Sequence, residues 1–151
     1  MPREDLKKRI VTIETAYEFM LSYAARGTKT DGASPLRSHL EDTSAALDGM
    51  GDAVRAVLDE GGAEGEAATA GAEPFVEVVE RDAAASLAAV GMVLARDAIS
   101  SQLIDNLNAS IHLRALLTDL FLIDEALELG VGEASPPAML APDEDEKFGP
   151  D

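Results

Sequence analysis

Hydrophobic residues recur along this chain at alternating intervals of four and three, the repeat expected of an α-helix with one apolar side. The first such run covers about residues 4–26 and ends before Gly27. The second covers about residues 35–59, behind a start signal made by Ser34 and Pro35. Each run predicts a helix with a hydrophobic seam that faces a partner helix. In the first run the seam consists of Leu6, Ile10, Ile13, Tyr17, Met20 and Ala24.

Residues 75–129 contain no proline and one glycine, and their pattern is helical almost throughout. A single helix over these residues would be about 80 Å long at about 1.5 Å per residue, and it could be buried only in an oligomer. Asp105 and Asn108, however, belong to the residue types that compete for backbone hydrogen bonds and often cap helices. We therefore favour a break near them, which predicts helices at about residues 75–106 and 109–129.

A stripe of small residues runs along the third predicted helix at intervals of 4, 3, 4 and 3: Ala84, Ala88, Gly91, Ala95 and Ala98. This spacing places all five on one side of a helix. The stripe could line a cofactor pocket, but the chain offers no set of ligating residues to accompany one. Because small side chains let two helix backbones approach closely, we expect the stripe to form a close helix–helix contact.

Two segments lack the helical pattern. Residues 61–73 are rich in glycine and alanine, which predicts a flexible linker within a domain that spans residues 1–130. Residues 131–151 combine a proline pair with six acids and one lysine, which predicts a disordered acidic tail. The apolar residues of the tail, Ala138–Leu140 and Phe148, could form a short docking segment, although isolated apolar residues of this kind usually have no such role.

Composition supports an all-α fold. Of the 151 residues, 46% are hydrophobic but only 4% are aromatic, and there is no tryptophan, so alanine and leucine must fill the core. Such side chains suit interdigitating helices better than a β-sandwich. We predict an antiparallel four-helix bundle. Because its third and fourth helices carry more apolar surface than two shorter helices can cover, we expect a homodimer.

The formal net charge is −17, from 29 acids and 12 bases, and we expect such a chain to avoid nucleic acid. Six of the bases lie in residues 1–30; we interpret this segment as a solvated helix beside an acidic neighbour, although a docking strip for RNA or lipid is the alternative. The absence of cysteine excludes thiolate chemistry and Cys-ligated metals. Without a signal-peptide core or a membrane-length apolar stretch, a cytoplasmic protein with no membrane contact is predicted.

His39 lies in the first turns of the second predicted helix, with Thr43 one turn later. This pair resembles the phospho-accepting helix of histidine kinases and phosphotransfer proteins. The resemblance covers five residues and implies that His39, with Thr43, accepts a phosphoryl group. The chain differs from that family at Leu40, where an acid is usual, and no nucleotide-binding segment follows. We therefore favour the alternative that His39 is an exposed histidine without a chemical role.

A second stripe is polar and consists of Asp97, Ser101, Asp105, Asn108 and His112. In a bundle core such a line could bind a metal or a small ligand. A di-iron bundle, however, needs glutamates on several helices and Glu-x-x-His pairs, which this chain lacks. Asp105 and His112 alone are a poor ligand set for zinc or iron. We therefore interpret the stripe as a solvated face and predict no metal and no cofactor.

Catalytic and nucleotide-binding motifs are missing from the sequence: it has no P-loop, no dinucleotide-binding glycine motif, no nucleophile elbow and no His-Glu-x-x-His. Together with the apolar seams and the acidic surface, this favours a non-catalytic helical protein–protein interaction module. Such an adaptor, regulatory or assembly factor would act through self-association and through binding another protein. Two alternatives stay open: a phosphotransfer-type signalling protein that uses His39, and a helical bundle that binds a metal or a small ligand.

Overall fold

The computed structural model describes residues 1–60 and 71–131, and the regular secondary structure of these residues is helical. The all-α class predicted from the sequence is therefore confirmed for this part of the chain. Six helices lie within it: α1 (Pro2–Ala24), α2 (Leu36–Leu47), α3 (Met50–Asp59), α4 (Ala72–Leu94), α5 (Ser101–Ala109) and α6 (His112–Leu127).

The two long helices, α1 and α4, contain 23 residues each, and each packs against all four shorter helices. A single hydrophobic core lies between them, and side chains from all six helices contribute to it. The seam predicted for the first helix is buried in this core. Its buried members are Leu6, Ile10, Ile13, Tyr17 and Met20.

The helix predicted over residues 35–59 is in fact two helices, α2 and α3, which meet at a sharp bend. Asp48 is extended, and Gly49 has a left-handed backbone with φ +76°, a conformation that glycine adopts without steric cost. The hydrophobic repeat continues through the bend because Leu47 and Met50, on either side of it, are both buried. Periodicity therefore gave no sign of the break.

The helix predicted over residues 75–106 is also wrong, because α4 ends at Leu94 and α5 begins only at Ser101. Ser100 caps α5: its hydroxyl accepts a hydrogen bond from the Leu103 backbone N–H at 3.0 Å. A second break does occur near the predicted position, but it lies slightly later, where Ile111 has φ +66° before α6 begins. The region from 75 to 129 thus contains three helices rather than one or two.

The end of α4 is held by a side chain from another part of the chain. Arg37 on α2 donates hydrogen bonds to the backbone carbonyls of Leu94 at 3.0 Å, Arg96 at 2.9 Å and Asp97 at 3.3 Å. The Leu94 carbonyl is one of the acceptors that a helix C-terminus leaves without an intrahelical partner, and the carbonyls of Arg96 and Asp97 follow just beyond the helix. Arg37 is itself held by Asp31, whose carboxylate accepts from its Nε at 3.2 Å.

The segment that joins α4 to α5, residues 95–100, is fixed from its other side by the end of α1, and we call this segment the linker after α4. Asp31 accepts a second hydrogen bond from the Ile99 backbone N–H at 2.9 Å, and the Tyr23 hydroxyl donates to the Ile99 carbonyl at 2.6 Å. The Ser101 hydroxyl donates to the Tyr23 carbonyl at 2.7 Å and accepts from the Thr28 N–H at 3.1 Å. The buried polar groups of the linker are therefore paired with the loop that follows α1.

The small-residue stripe does not form the close helix–helix contact that was predicted within this chain. All five of its residues are exposed, and the last two lie beyond the end of α4. A side chain at Gly91 would meet no atom within 4 Å. The valines of α4 face the core instead, because burying larger apolar side chains removes more apolar surface from water. The buried residues of α4 are Val76, Val79, Ala83, Ser86, Val90 and Val93.

The predicted linker and tail fall largely on residues 61–70 and 132–151, which lie outside the described residues. Where the structure does describe them, the boundaries shift: Ala72 already belongs to α4, and Val131, placed in the tail by the sequence pattern, is buried. Its backbone N–H donates to the Asp124 carboxylate at 3.1 Å. The core therefore extends at least one residue past the predicted end of the domain.

We predict that Asp31→Ala will lower the free energy of unfolding by about 2–3 kcal/mol, because it leaves the Ile99 N–H and Arg37 without their charged partner. The hydrogen bond from the Ile99 N–H is the largest cause that lowers the pKa of Asp31 in the folded chain. The stabilising effect of the Asp31 carboxylate is therefore fully present above the usual carboxyl pKa and is lost as the pH falls through the folded-state pKa. Urea unfolding at pH 7 measures the loss. Asp97→Ala, an exposed change in the same linker, is the control; an equal loss in both variants would contradict the prediction.

Candidate interaction groove between helices α4 and α6

The phosphoacceptor pair suggested by the sequence is not presented as a pair at the surface. His39 is half-buried, and its ring stacks on Phe19 with 4.6 Å between the ring centroids. Thr43 is fully buried on the core side of α2, and its hydroxyl has no hydrogen-bond partner among the described residues. The two side chains therefore occupy different environments, one against an aromatic ring and one in the core.

The polar stripe is divided among three elements: the linker before α5, α5 itself and α6. Asp97, Asp105 and His112 are exposed, whereas Ser101 is buried and holds the linker. Asn108 donates to the Met20 carbonyl at 3.4 Å. In residues 1–60 and 71–131, no group of three or more histidine or acidic side chains is arranged to hold a metal ion.

An apolar groove lies where the start of α4 meets the end of α6. Its volume is about 370 Å³. Leu122 on α6 projects into solvent at its edge, with 57% of its surface exposed, beside the half-buried Phe75 of α4. We call this feature the α4–α6 groove. It is lined by Gly71, Ala72, Phe75, Leu122, Ile123, Ala126 and Leu127.

A pair of carboxyl groups lies further along the same two helices, outside the lining of the α4–α6 groove. Asp82 is two helical turns after Phe75 on α4, and Asp119 is one turn before Leu122 and Ile123 on α6, so both lie on the groove side of their helices. Asp82 lies near enough to Asp119 to raise the pKa of that carboxyl group, after the larger effect of burial. We call Asp82 and Asp119 the carboxyl pair. Because Phe75 and Ala126 line one recess while the later Asp82 lies near the earlier Asp119, α4 and α6 run antiparallel.

Asp119 of the carboxyl pair has a pKa well above the usual carboxyl range. Burial, followed by contact with Asp82, raises the pKa of Asp119 to about 7. The Oδ2 atom of Asp119 is buried and receives no hydrogen bond from a donor in the described residues. Two carboxylates cannot donate to each other, so the contact becomes a hydrogen bond only when one of them is protonated.

Two other clefts differ from the α4–α6 groove because each contains an acid that is bound by an arginine. One, of about 260 Å³, lies at the bend between α2 and α3; beside it Arg55 donates to Glu73 at 2.9 Å and to Glu80. This contact lowers the pKa of Glu80. The other, of about 440 Å³ between α1 and α2, contains Arg9, which donates to Asp5 at 2.9 Å.

Sequence reasoning missed Asp82, Asp119 and Leu122. The two aspartates could not be distinguished among the 29 acids of the chain, because their pairing depends on how α4 and α6 pack. Leu122 is one of many leucines in an apolar helix, and only the structure shows that it faces outward while Leu120 and Ile123 are buried. Glu14, a buried acid on α1, was equally hidden; burial and then Glu18 raise its pKa.

Comparisons with known proteins add no assignment to this geometry. No protein-family model matches the chain, and neither the curated proteins nor the solved structures include a significant match. Among the residues that the structure describes, no helix combines the length and the apolar character needed to cross a membrane.

We predict that Asp119→Asn will raise the free energy of unfolding by about 2 kcal/mol at pH 8. This figure is smaller than the full pKa difference would give, because solvent reaches part of the side chain and screens its charge. The folded-state pKa of about 7 lies above the unfolded value, so the native chain loses stability as the pH rises from about 4 to about 7. Asparagine removes this loss because it is neutral and can donate to Asp82.

The gain should therefore be less than half as large at pH 5, and urea unfolding at both pH values measures it. Asp105→Asn, which makes the same charge change on the exposed side of α5, is the matched control. A gain that is the same at pH 5 and pH 8, or the same in both variants, would show that the carboxyl pair does not share a proton.

Proposed function

We propose that this protein is a non-catalytic helical protein–protein interaction module, an adaptor, regulatory or assembly factor of the cytoplasm. It binds a helix from another protein in the α4–α6 groove. The supporting observation is the groove itself: an apolar recess on a strongly acidic chain, with Leu122 exposed at its edge. Exposed apolar surface bordered by charged residues is characteristic of protein-binding sites.

The shape of the groove favours a helix as the occupant. It lies between two antiparallel helices, so an added helix would pack as a third member along the same direction. Its lining offers apolar side chains at positions one turn apart on α6, Leu122 and Ala126, and an aromatic ring on α4, Phe75. An amphipathic helix with apolar residues at intervals of three and four matches this arrangement.

We further propose that the fold is an antiparallel four-helix bundle in which two of the four members are bent. The unbroken members are α1 and α4, and the bent ones are α2 with α3 and α5 with α6. Side-chain contacts support the antiparallel order: Arg9 of α1 binds the carbonyl of Ala46 near the end of α2, whereas Phe19 stacks on His39 near its start.

We predict that Leu122→Asp will abolish binding of the partner protein, because it places a charge in the apolar groove. The chain should stay folded, because the Leu122 side chain is already largely exposed to solvent. Pull-downs from the native cytoplasm should recover a partner with the unmodified chain and lose it with this variant. Ile111→Asp is the matched control, since Ile111 is another exposed apolar residue, 58% exposed and outside the groove lining. Loss of the partner in both variants, or in neither, would count against the groove.

We also propose self-association through α4. Residues 83–95 carry no charge, so two chains of the same negative sign can approach there with the least repulsion. Size-exclusion chromatography with light scattering should give the mass of a dimer at micromolar concentration, and Gly91→Glu should give a monomer. A side chain at Gly91 has open space in the isolated chain, so this variant should still fold. Gln102→Glu, which adds the same charge on α5, is the control; a native monomer contradicts self-association.

A further inference from the structure

The α4–α6 groove lies within reach of the tail that follows α6. We infer that residues 138–140 of this same chain, Ala-Met-Leu, bind in the groove and block it until a partner displaces them. The inference rests on the proposed function because it assigns a regulator to the same groove. It goes beyond the proposed function because the first occupant of the groove is part of the chain itself.

The described part of the chain ends beside the groove. After α6 the backbone turns back on that helix: the Leu129 N–H donates to the Asp124 carbonyl at 3.0 Å, and the Val131 N–H donates to the Asp124 carboxylate at 3.1 Å. Leu129 and Val131 are both buried, so this turn belongs to the core. Ile123, the neighbour of Asp124, lines the groove. The tail therefore starts within about one helix width of the groove, about 10–12 Å.

The tail is long enough to reach the groove without being fully extended. Met139 is eight residues after Val131. Because a chain advances at most about 3.3–3.6 Å per residue, Met139 can lie up to about 26–29 Å from Val131. A tether this short gives the segment an effective concentration at the groove on the order of millimolar. A contact too weak to retain a free peptide can therefore retain the tethered segment.

The charge pattern of the tail selects residues 138–140. Residues 134–142 carry no charge, and the residues that line the groove are all uncharged as well. Four consecutive acids follow at 143–146, so the apolar segment can enter the groove while these acids stay in water beyond Pro142. Phe148 is a poorer occupant because its burial would draw the same acids and Lys147 toward an apolar surface.

The size of the groove also suits a short segment. Its volume of about 370 Å³ is near the lower end of the range for ligand pockets, about 300–1,000 Å³, so a few side chains fill it. Met139 and Leu140 would cover the exposed Leu122, and an unbranched methionine adapts to an irregular recess. A partner helix needs the same lining residues. The tail and a partner therefore exclude each other.

Methionine methyl NMR on the full chain tests the contact directly. The chain has five methionines, of which Met1 and Met92 are largely exposed and serve as internal references. We expect nuclear Overhauser contacts between the Met139 methyl group and the Phe75 ring. We also expect the Met139 methyl signal to be displaced from its position in an isolated peptide of residues 132–151.

A matched pair of variants shows whether the groove holds Met139. Leu122→Asp should return the Met139 signal to its position in the isolated peptide, because it places a charge in the groove. Ile111→Asp alters a side chain that is 58% exposed, against 57% for Leu122, but lies outside the groove lining, and it should leave the signal displaced.

Two results of this measurement would overturn the inference. One is a Met139 signal at the isolated-peptide position in the unmodified chain, a result that requires no variant to fold. The other is a contact with Phe75 that disappears on dilution, because the tail would then bind a second copy of the chain.

A labelled helical peptide tests whether the tail blocks the groove. The peptide is about 16 residues long with leucines at intervals of three and four, and fluorescence anisotropy follows its binding to the full chain. Met139→Glu with Leu140→Glu should bind it about tenfold more tightly than the unmodified chain, the gain expected if the tail occupies the groove about nine-tenths of the time. Ala134→Glu with Ser135→Glu adds the same two charges to the tail and should leave the affinity unchanged.

The peptide also separates failure of the inference from failure of the proposed function. If it binds the unmodified chain and both double variants equally, the groove binds helices as proposed but the tail does not regulate it. If it binds none of the three chains while Met139 contacts Phe75, the tail fills the groove as inferred and the proposed function is wrong.

Discussion

The arrangement of this protein depends on the hydrogen-bonded contact by which Asp31 and Arg37 hold the linker after α4. Arg37 binds three carbonyls at the end of α4, and Asp31 fixes both Arg37 and the Ile99 N–H. Without such partners, the alanine-rich second half of α4, which is uncharged from residue 83 onward, has no local reason to stop at Leu94, because alanine has the highest helix propensity. Ending there lets α5 fold back along α1, and α6 then returns along α4. The α4–α6 groove is a consequence of that reversal.

The sequence was informative where local physics determines structure and uninformative where distant residues do. The seam of α1 could be predicted because 3.6-residue periodicity is a local property, and the burial of Ile10 and Ile13 agrees with it. The end of α4 could not, since its cause lies in Arg37, 57 residues away. Ser100 caps α5, and serine is a common helix N-cap, but the helical pattern continues on both sides of it, so no helix start was predicted there. The exposed stripe around Gly91 shows a related error: small residues allow a close contact but do not require one.

The candidate site was hidden for a different reason. In an acidic chain, any two carboxylates could be neighbours, and which of them meet is decided by the antiparallel pairing of α4 and α6. Asp82 and Glu80 are two residues apart on one helix, yet one contacts an acid and the other a base. Periodicity places them on different sides of α4, but only the packing of α3 and α6 gives those sides opposite chemistry. The spacing of charged residues therefore predicts which side of a helix each acid occupies, but only the tertiary structure shows which residue it contacts.

The acids of this chain affect the stability of the fold differently, depending on what they contact. Arg55 holds α3 to α4 by pairing with Glu73 and Glu80, and Arg37 binds both Asp31 and the Leu94 carbonyl at the end of α4. Asp119 lies near Asp82 instead, and burial followed by this second acid raises its pKa to about 7. The native chain therefore loses stability as the pH rises toward that value. An acid that meets a base thus holds two helices together at neutral pH, whereas an acid that meets another acid weakens their packing there.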